Sequence, residues 1–309
     1  MSILERPLRA AILAAADSTP VHRFVKRYGM RLGARRFVAG ETADEFLDVA
    51  QAVNARGFAV ACGILGEGVA DPVEATDAAD QYCALLRAFA ERGLHANVAF
   101  KLSHVGLDID PDLAFENASR IARAALETGN TMRMDMEQSR YVDPTLAMYR
   151  RLRATYENVG FVLQSYLFRS AADLRALMPL RPNVRLVKGA YLEPPELAFA
   201  KKSDVDENYA QLAEDALAGE GYTAIATHDP VLIERIAAYA ERLRLPRQGR
   251  FEFQMLYGVA SAQASSLVER GYRVRLAVPF GGYWFPYLMR RLAERPANLA
   301  FFLKGAFSR

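Results

Sequence analysis

From about position 57 onward the chain alternates between two hydrophobic patterns. Short apolar, β-branched runs are each followed by enough chain for a crossover helix. The runs are Phe58–Leu65, Ala96–Ser103, Thr131–Met136, Gly160–Ser165, Val184–Gly189, Thr223–Thr227, Phe251–Met255 and Val274–Val278. Eight strand–helix units in series, with no second kind of segment between them, predict an α/β fold closed into a parallel (βα)8 barrel. The competing open sheet normally carries a glycine-rich turn after its first strand, and no GxGxxG occurs. Upstream, Thr42 and Glu45 form a capping-box pattern, and Phe46, Val49, Ala50 and Val53 follow at helical spacing. The expected division is an N-terminal helical arm over 1–56 and the barrel over 57–309.

Four helix starts share one punctuation. Asp71-Pro72, Asp110-Pro111, Asp143-Pro144 and Asp229-Pro230 each place a carboxylate before a proline, which predicts an N-cap followed by proline at the first helical position. Glu74 would complete a capping box behind the first pair.

Composition narrows the function classes. The 39 basic and 36 acidic residues leave a formal charge of +3, too small to imply a nucleic-acid partner or a membrane surface by charge alone. Cys62 and Cys83 are too few for a disulfide framework and wrongly spaced for zinc, so a reducing compartment is expected. His22, His95, His104 and His228 show no metal-binding spacing, and no metal is expected. The alanine-rich run from Ala10 to Ala16 is too short to span a bilayer. The chain therefore reads as cytoplasmic, with peripheral contact on the inner face of the membrane left open.

In a barrel of this kind the active site lies where the strands end at their C-termini. Those ends carry Glu67, Lys101, Asp135 with Glu137, Gln164, Arg185 with Lys188, Thr227 with His228, and Gln254. One lysine at a strand end is ordinarily a solvated charge, and one aspartate ordinarily a helix cap. So many on a single rim point to a binding site, because a barrel built only for stability gains nothing from a ring of ions. Beyond the eighth strand, Tyr287, Arg290 and Arg291 stand at i, i+3 and i+4. Adjacent arginines usually form a solvated face, but beside Lys101 they would make a bidentate carboxylate clamp, balanced by Glu67. A strand-end lysine, Lys101 or Lys188, would equally suit a Schiff-base lyase.

The segments Phe37–Thr42, Gly66–Val69, Ala99–Ser103, Arg133–Glu137, Val162–Leu167, Val184–Glu193, Ala226–Asp229, Phe251–Gly258 and Pro286–Asn298 carry a family resemblance across nearly the whole chain. Together they resemble proline dehydrogenase of the small monofunctional bacterial type. The resemblance implies a TIM-type barrel holding FAD and oxidising L-proline to 1-pyrroline-5-carboxylate, with electrons passed to a quinone or similar membrane acceptor. It implies Asp135 and Arg185 as catalytic, with Arg185 near the flavin. Met136, Gln164, Lys188, Gly189, Ala190, Thr227 and His228 would bind the cofactor. Lys101, Arg290 and Arg291 would hold the substrate carboxylate, Tyr191, Leu256 and Tyr287 would pack on its ring, and Glu67 would gate the site. The family's eighth strand typically carries a tyrosine against the ring, where this chain has Ala277. The alternative expectation is thus a hydroxyproline or other enlarged-ring dehydrogenase.

Overall fold

The computed structural model describes residues 29–30, 33–66, 68–259 and 261–294, with side chains as far as Met289. All eight predicted runs are strands: β1 (Ala59–Ile64), β2 (Ala96–Lys101), β3 (Met132–Asp135), β4 (Val159–Gln164), β5 (Asn183–Val187), β6 (Tyr222–Ala226), β7 (Phe251–Leu256) and β8 (Val274–Phe280). They form a closed barrel in chain order. Every neighbouring pair is parallel, and β1 closes on β8 from Ala59 opposite Arg275 to Ile64 opposite Phe280. The helices between them are α2 (Pro72–Glu91), α3 (Pro111–Glu127), α4 (Val142–Arg153), α5 (Ser170–Leu177), α6 (Lys202–Ala218), α7 (Pro230–Arg242) and α8 (Ser261–Glu269); α1 (Ala43–Ala55) precedes β1 and α9 (Trp284–Glu294) follows β8.

Strand alternation explains the layering. Val60, Val98, Met134, Phe161, Leu186, Ile225, Phe253 and Leu276 are buried in the apolar core shared with the helices. Residues of the opposite parity, such as Lys101, Asp135, Arg185, Gln254 and Ala277, face the barrel mouth. Each fully buried aromatic or aliphatic side chain in that shared core contributes about 1.5–3 kcal/mol relative to exposure.

Helix starts follow their caps. The Thr42–Glu45 capping box is present in both directions, and Phe46 of α1 stacks on Phe280 of β8 at 4.9 Å. Asp71, Asp110 and Asp229 accept from the amides two residues on, at 2.7, 2.9 and 3.1 Å, with proline at the start of each helix. At the first of these starts the Asp71 carboxylate turns to Val73 instead of sharing a box with Glu74. Asp143-Pro144 departs from the expectation. A 3-10 turn over Ser139–Tyr141 runs straight into α4, so Asp143 lies inside the helix and its carboxylate pairs with Arg169. Pro144 remains in the first turn, where its missing N–H has no partner to lose.

A second apolar cluster fixes α9. Trp284, Phe285 and Leu288 pack on Ala34, Phe37 and Val38, and the Trp284 indole donates to Glu41 at 2.6 Å. No helix among the described residues is long and apolar enough to cross a membrane.

Candidate active site

A cavity of about 900 Å³ opens at the C-terminal ends of the strands, near the upper end of the range for small-molecule sites. Lys101, Asp135 and Gln164 are the last residues of β2, β3 and β4, and all three line it. Arg185 of β5, Leu256 of β7 and Ala277 of β8 face it from the other walls, and Met136 follows β3 into it. The backbone after β5 adds Lys188, Gly189, Ala190 and Tyr191, and that after β6 adds Thr227 and His228. The expected set is thus brought together with four exceptions. Tyr287 is half-buried against the Trp284 cluster and does not line the cavity. Glu67 lies outside the described residues, as do the side chains of Arg290 and Arg291 on α9.

Electrostatics organise the walls. Arg185 donates to Asp135 at 2.6 Å. Its Nε and Nη2 are buried and have no partner among the described residues. Such donors cost about 1–3 kcal/mol each while unmet, so a ligand bringing acceptors to this wall removes that cost. Lys188 has left the strand alternation and forms ion pairs with Asp206 at 2.6 Å and Asp229 at 2.9 Å. Lys202, at the start of α6, reaches the same two carboxylates. Burial works to raise the Asp229 carboxyl, but the two lysines outweigh it and hold the group below its ordinary value. Asp206, Asp229 and Lys202 were not expected at the site. The signal available was that Asp229 directly follows His228 in the rim segment, although its cap role alone explains its presence.

Hydrogen bonds set the remaining orientations. His228 Nε2 accepts from the Leu256 amide at 3.0 Å, which leaves the ring proton on Nδ1 in the neutral form. Gln164 Nε2 donates to the Glu137 carbonyl at 2.9 Å, and Thr227 accepts from the Asp229 amide at 3.1 Å. Gly189 has φ +113°, and a Cβ there would lie 2.2 Å from the Tyr166 ring. Tyr166 in turn donates to Glu193 at 3.3 Å, and Glu193 accepts from the Ser139 amide at 2.8 Å. The loop carrying Tyr191 is therefore tied to the segments after β3 and β4.

Comparison with known proteins decides the family. The family model described as "Proline dehydrogenase" matches residues 46–304. The chain belongs to the proline dehydrogenase family. It is 39% identical over 298 residues to Proline dehydrogenase 1 of Bacillus subtilis subsp. natto, covering 96% of this chain and 98% of that one. It is 39% identical over 308 residues to Proline dehydrogenase of Deinococcus radiodurans, covering 98% and 99%. Among solved structures, proline utilization A from Bdellovibrio bacteriovorus, inactivated by N-propargylglycine, superposes with a TM-score of 0.81 at 27% identity. That match covers 92% of this chain but 35% of the other, so the chain spans about a third of that protein's length. Family membership makes the protein an oxidoreductase acting on proline in proline catabolism, and the family is flavin-dependent. Nothing in these likenesses favours the hydroxyproline alternative at Ala277, nor a Schiff-base lyase.

The residues present fit a flavin. The unmet donors of Arg185 suit ring acceptors. Lys188, Gly189, Ala190 and Tyr191 line the same cavity after β5.

Proposed function

We propose that the chain oxidises L-proline to 1-pyrroline-5-carboxylate with non-covalently bound FAD, passing the electrons to a quinone or similar acceptor. The observation that carries this reading is Arg185: a guanidinium buried in the cavity wall, oriented by Asp135 and left with two donors unmet. Bound FAD would accept the hydride equivalent from the carbon beside the ring nitrogen. The chain's own residues orient and exclude. Asp135 fixes the Arg185 fork, so the free donors need no reorganisation when a ligand arrives. Lys101 anchors the substrate carboxylate at the end of β2, together with Arg290 and Arg291, and Glu67 gates their access. Tyr191 and Leu256 cover the substrate ring and exclude water. Met136, Gln164, Lys188, Gly189, Ala190, Thr227 and His228 hold the cofactor. Proline must give up its ammonium proton first, since the nitrogen lone pair forms the new C=N bond.

On this reading the barrel over 57–309 is the catalytic unit behind the arm over 1–56. The protein works in the cytoplasm, in peripheral contact with the inner membrane face where the acceptor is a membrane quinone. Turnover of L-proline with an artificial dye acceptor tests the reading, with the cyclic imine trapped as product. Arg291→Met should lower kcat/KM for proline by about 2–5 kcal/mol, the range for truncating a desolvated charge pair. Flavin content should be retained. An unchanged kcat/KM would remove Arg291 from the clamp.

A further inference from the structure

Beneath the cavity the barrel carries ions among small and polar residues, where such barrels ordinarily stack branched aliphatic side chains. Arg133, Glu252 and Arg275 lie two residues before Asp135, Gln254 and Ala277 on their strands, on the same inward face and about 6.6 Å deeper. Arg275 donates to Glu252 at 2.7 Å and to the Val60 carbonyl at 2.8 Å, so its charge is matched. Arg185, one layer up, is matched by Asp135. Arg133 differs. It is 2% exposed, and its hydrogen bonds run to the Phe161 carbonyl at 3.2 Å, the Asn183 carbonyl at 3.5 Å and Asn183 Oδ1 at 2.7 Å, all neutral acceptors.

Gly160 makes this arrangement sterically feasible. A Cβ at that position would lie 3.0 Å from the Asn183 carbonyl oxygen and 3.3 Å from Arg133 Nη1. Burial and the neighbouring Arg185 pull the Arg133 pKa down to about 9, which still leaves it charged at neutral pH. Glu252 and Asp135 act on Arg133 through space, but neither carboxylate bonds to it. Each is already bonded to another arginine, so the Arg133 field is incompletely screened in the interior. The field reaches the cavity, since Arg185 and Asp135, which line it, both interact electrostatically with Arg133.

We propose that Arg133 tunes the bound flavin electrostatically, stabilising the reduced form, which carries the added negative charge, and thereby raising the cofactor's reduction potential. This rests on the flavin reading above. Arg133 touches neither substrate nor cavity, so it acts on the chemistry only through its charge. The alternative is that Arg133 merely ties the β4 and β5 backbones together. The two roles separate by measurement.

The test is the midpoint potential of the flavin in the intact holoprotein at pH 7, measured for wild type, Asn183→Asp, Arg133→Gln and Arg133→Lys. Asn183→Asp is the decisive variant. It keeps the shape and the hydrogen bond to Arg133 while placing a carboxylate where the amide oxygen stood, so the cation becomes paired without loss of packing. Both Asn183→Asp and Arg133→Gln should lower the reduced-to-oxidised ratio at fixed potential at least about tenfold, which for a two-electron couple is a shift of about 30 mV. Arg133→Lys should stay with wild type, and KM for proline should be unchanged in all variants. An Asn183→Asp protein that holds flavin at the wild-type potential overturns the proposal. So does one that loses flavin altogether, because a charge acting on the potential leaves affinity for the oxidised form nearly intact. Wild-type protein that binds no flavin would instead overturn the reading on which this rests.

Discussion

Arg185→Met separates the cost of a residue to the fold from its use to the ligand. In the free protein Arg185 is 8% exposed, with one donor used on Asp135 and two buried donors unmet. Losing the charge-assisted bond to Asp135 costs about 1.5–3 kcal/mol, at the low end here because the Asp135 side chain is 34% exposed to water. Removing two unmet donors returns about 1–3 kcal/mol each, and methionine fills most of the vacated volume. The flavin-free variant should therefore be as stable as wild type or up to about 4 kcal/mol more stable. Affinity for FAD should fall by about 2–5 kcal/mol, as when one partner of a desolvated polar contact is truncated. The assays are urea unfolding of the apoprotein, compared at equal slope, and titration with FAD. An apoprotein destabilised by more than about 2 kcal/mol with unchanged FAD affinity would refute the reasoning, and would make Arg185 a structural ion.

Two further perturbations test other parts of the site. Asp229→Asn keeps the helix cap but removes the charge facing Lys188 and Lys202, and should cost about 1 kcal/mol at pH 7. Because the folded Asp229 carboxyl lies below the ordinary aspartate value, its contribution is complete above that value and disappears as pH falls through the folded pKa. The wild-type and variant stability curves should thus converge in acid; a pH-independent gap would contradict the ion-pair account. Gly189→Ala forces an alanine to φ +113° and a Cβ onto the Tyr166 ring. Strain and overpacking together should cost about 2–5 kcal/mol in thermal or urea unfolding, with weaker FAD binding, and a variant indistinguishable from wild type would show that the loop has no fixed place over the cavity.

The fold was legible because its main determinants are local. Each strand announces itself by a short apolar run, and three of four Asp-Pro pairs cap helices where predicted. Asp143-Pro144 misled because proline is tolerated anywhere in the first turn, so the pair marks the turn without marking its first residue. The cavity walls were legible for the same reason: Lys101, Asp135 and Gln164 are the literal ends of their strands. The ionic floor was not. Arg133, Glu252 and Arg275 sit inside apolar runs and were read as part of them, though period-2 alternation with Asp135, Gln254 and Ala277 assigns them to the inner face. Pairing between neighbouring strands, as between Arg275 and Glu252, depends on register, which a single sequence does not display. The Lys188, Asp206 and Asp229 cluster was hidden likewise, since its members come from three separate loop and helix starts.

The central claim is that this barrel holds a flavin that proline reduces, and an absorption spectrum of the purified protein tests it most directly. Bands at about 370 and 450 nm should be present, or appear on adding FAD, as for any oxidised flavin. Anaerobic L-proline should then bleach the longer-wavelength band. A colourless protein that gains no bound flavin, or a yellow one that proline leaves unchanged, would contradict the account.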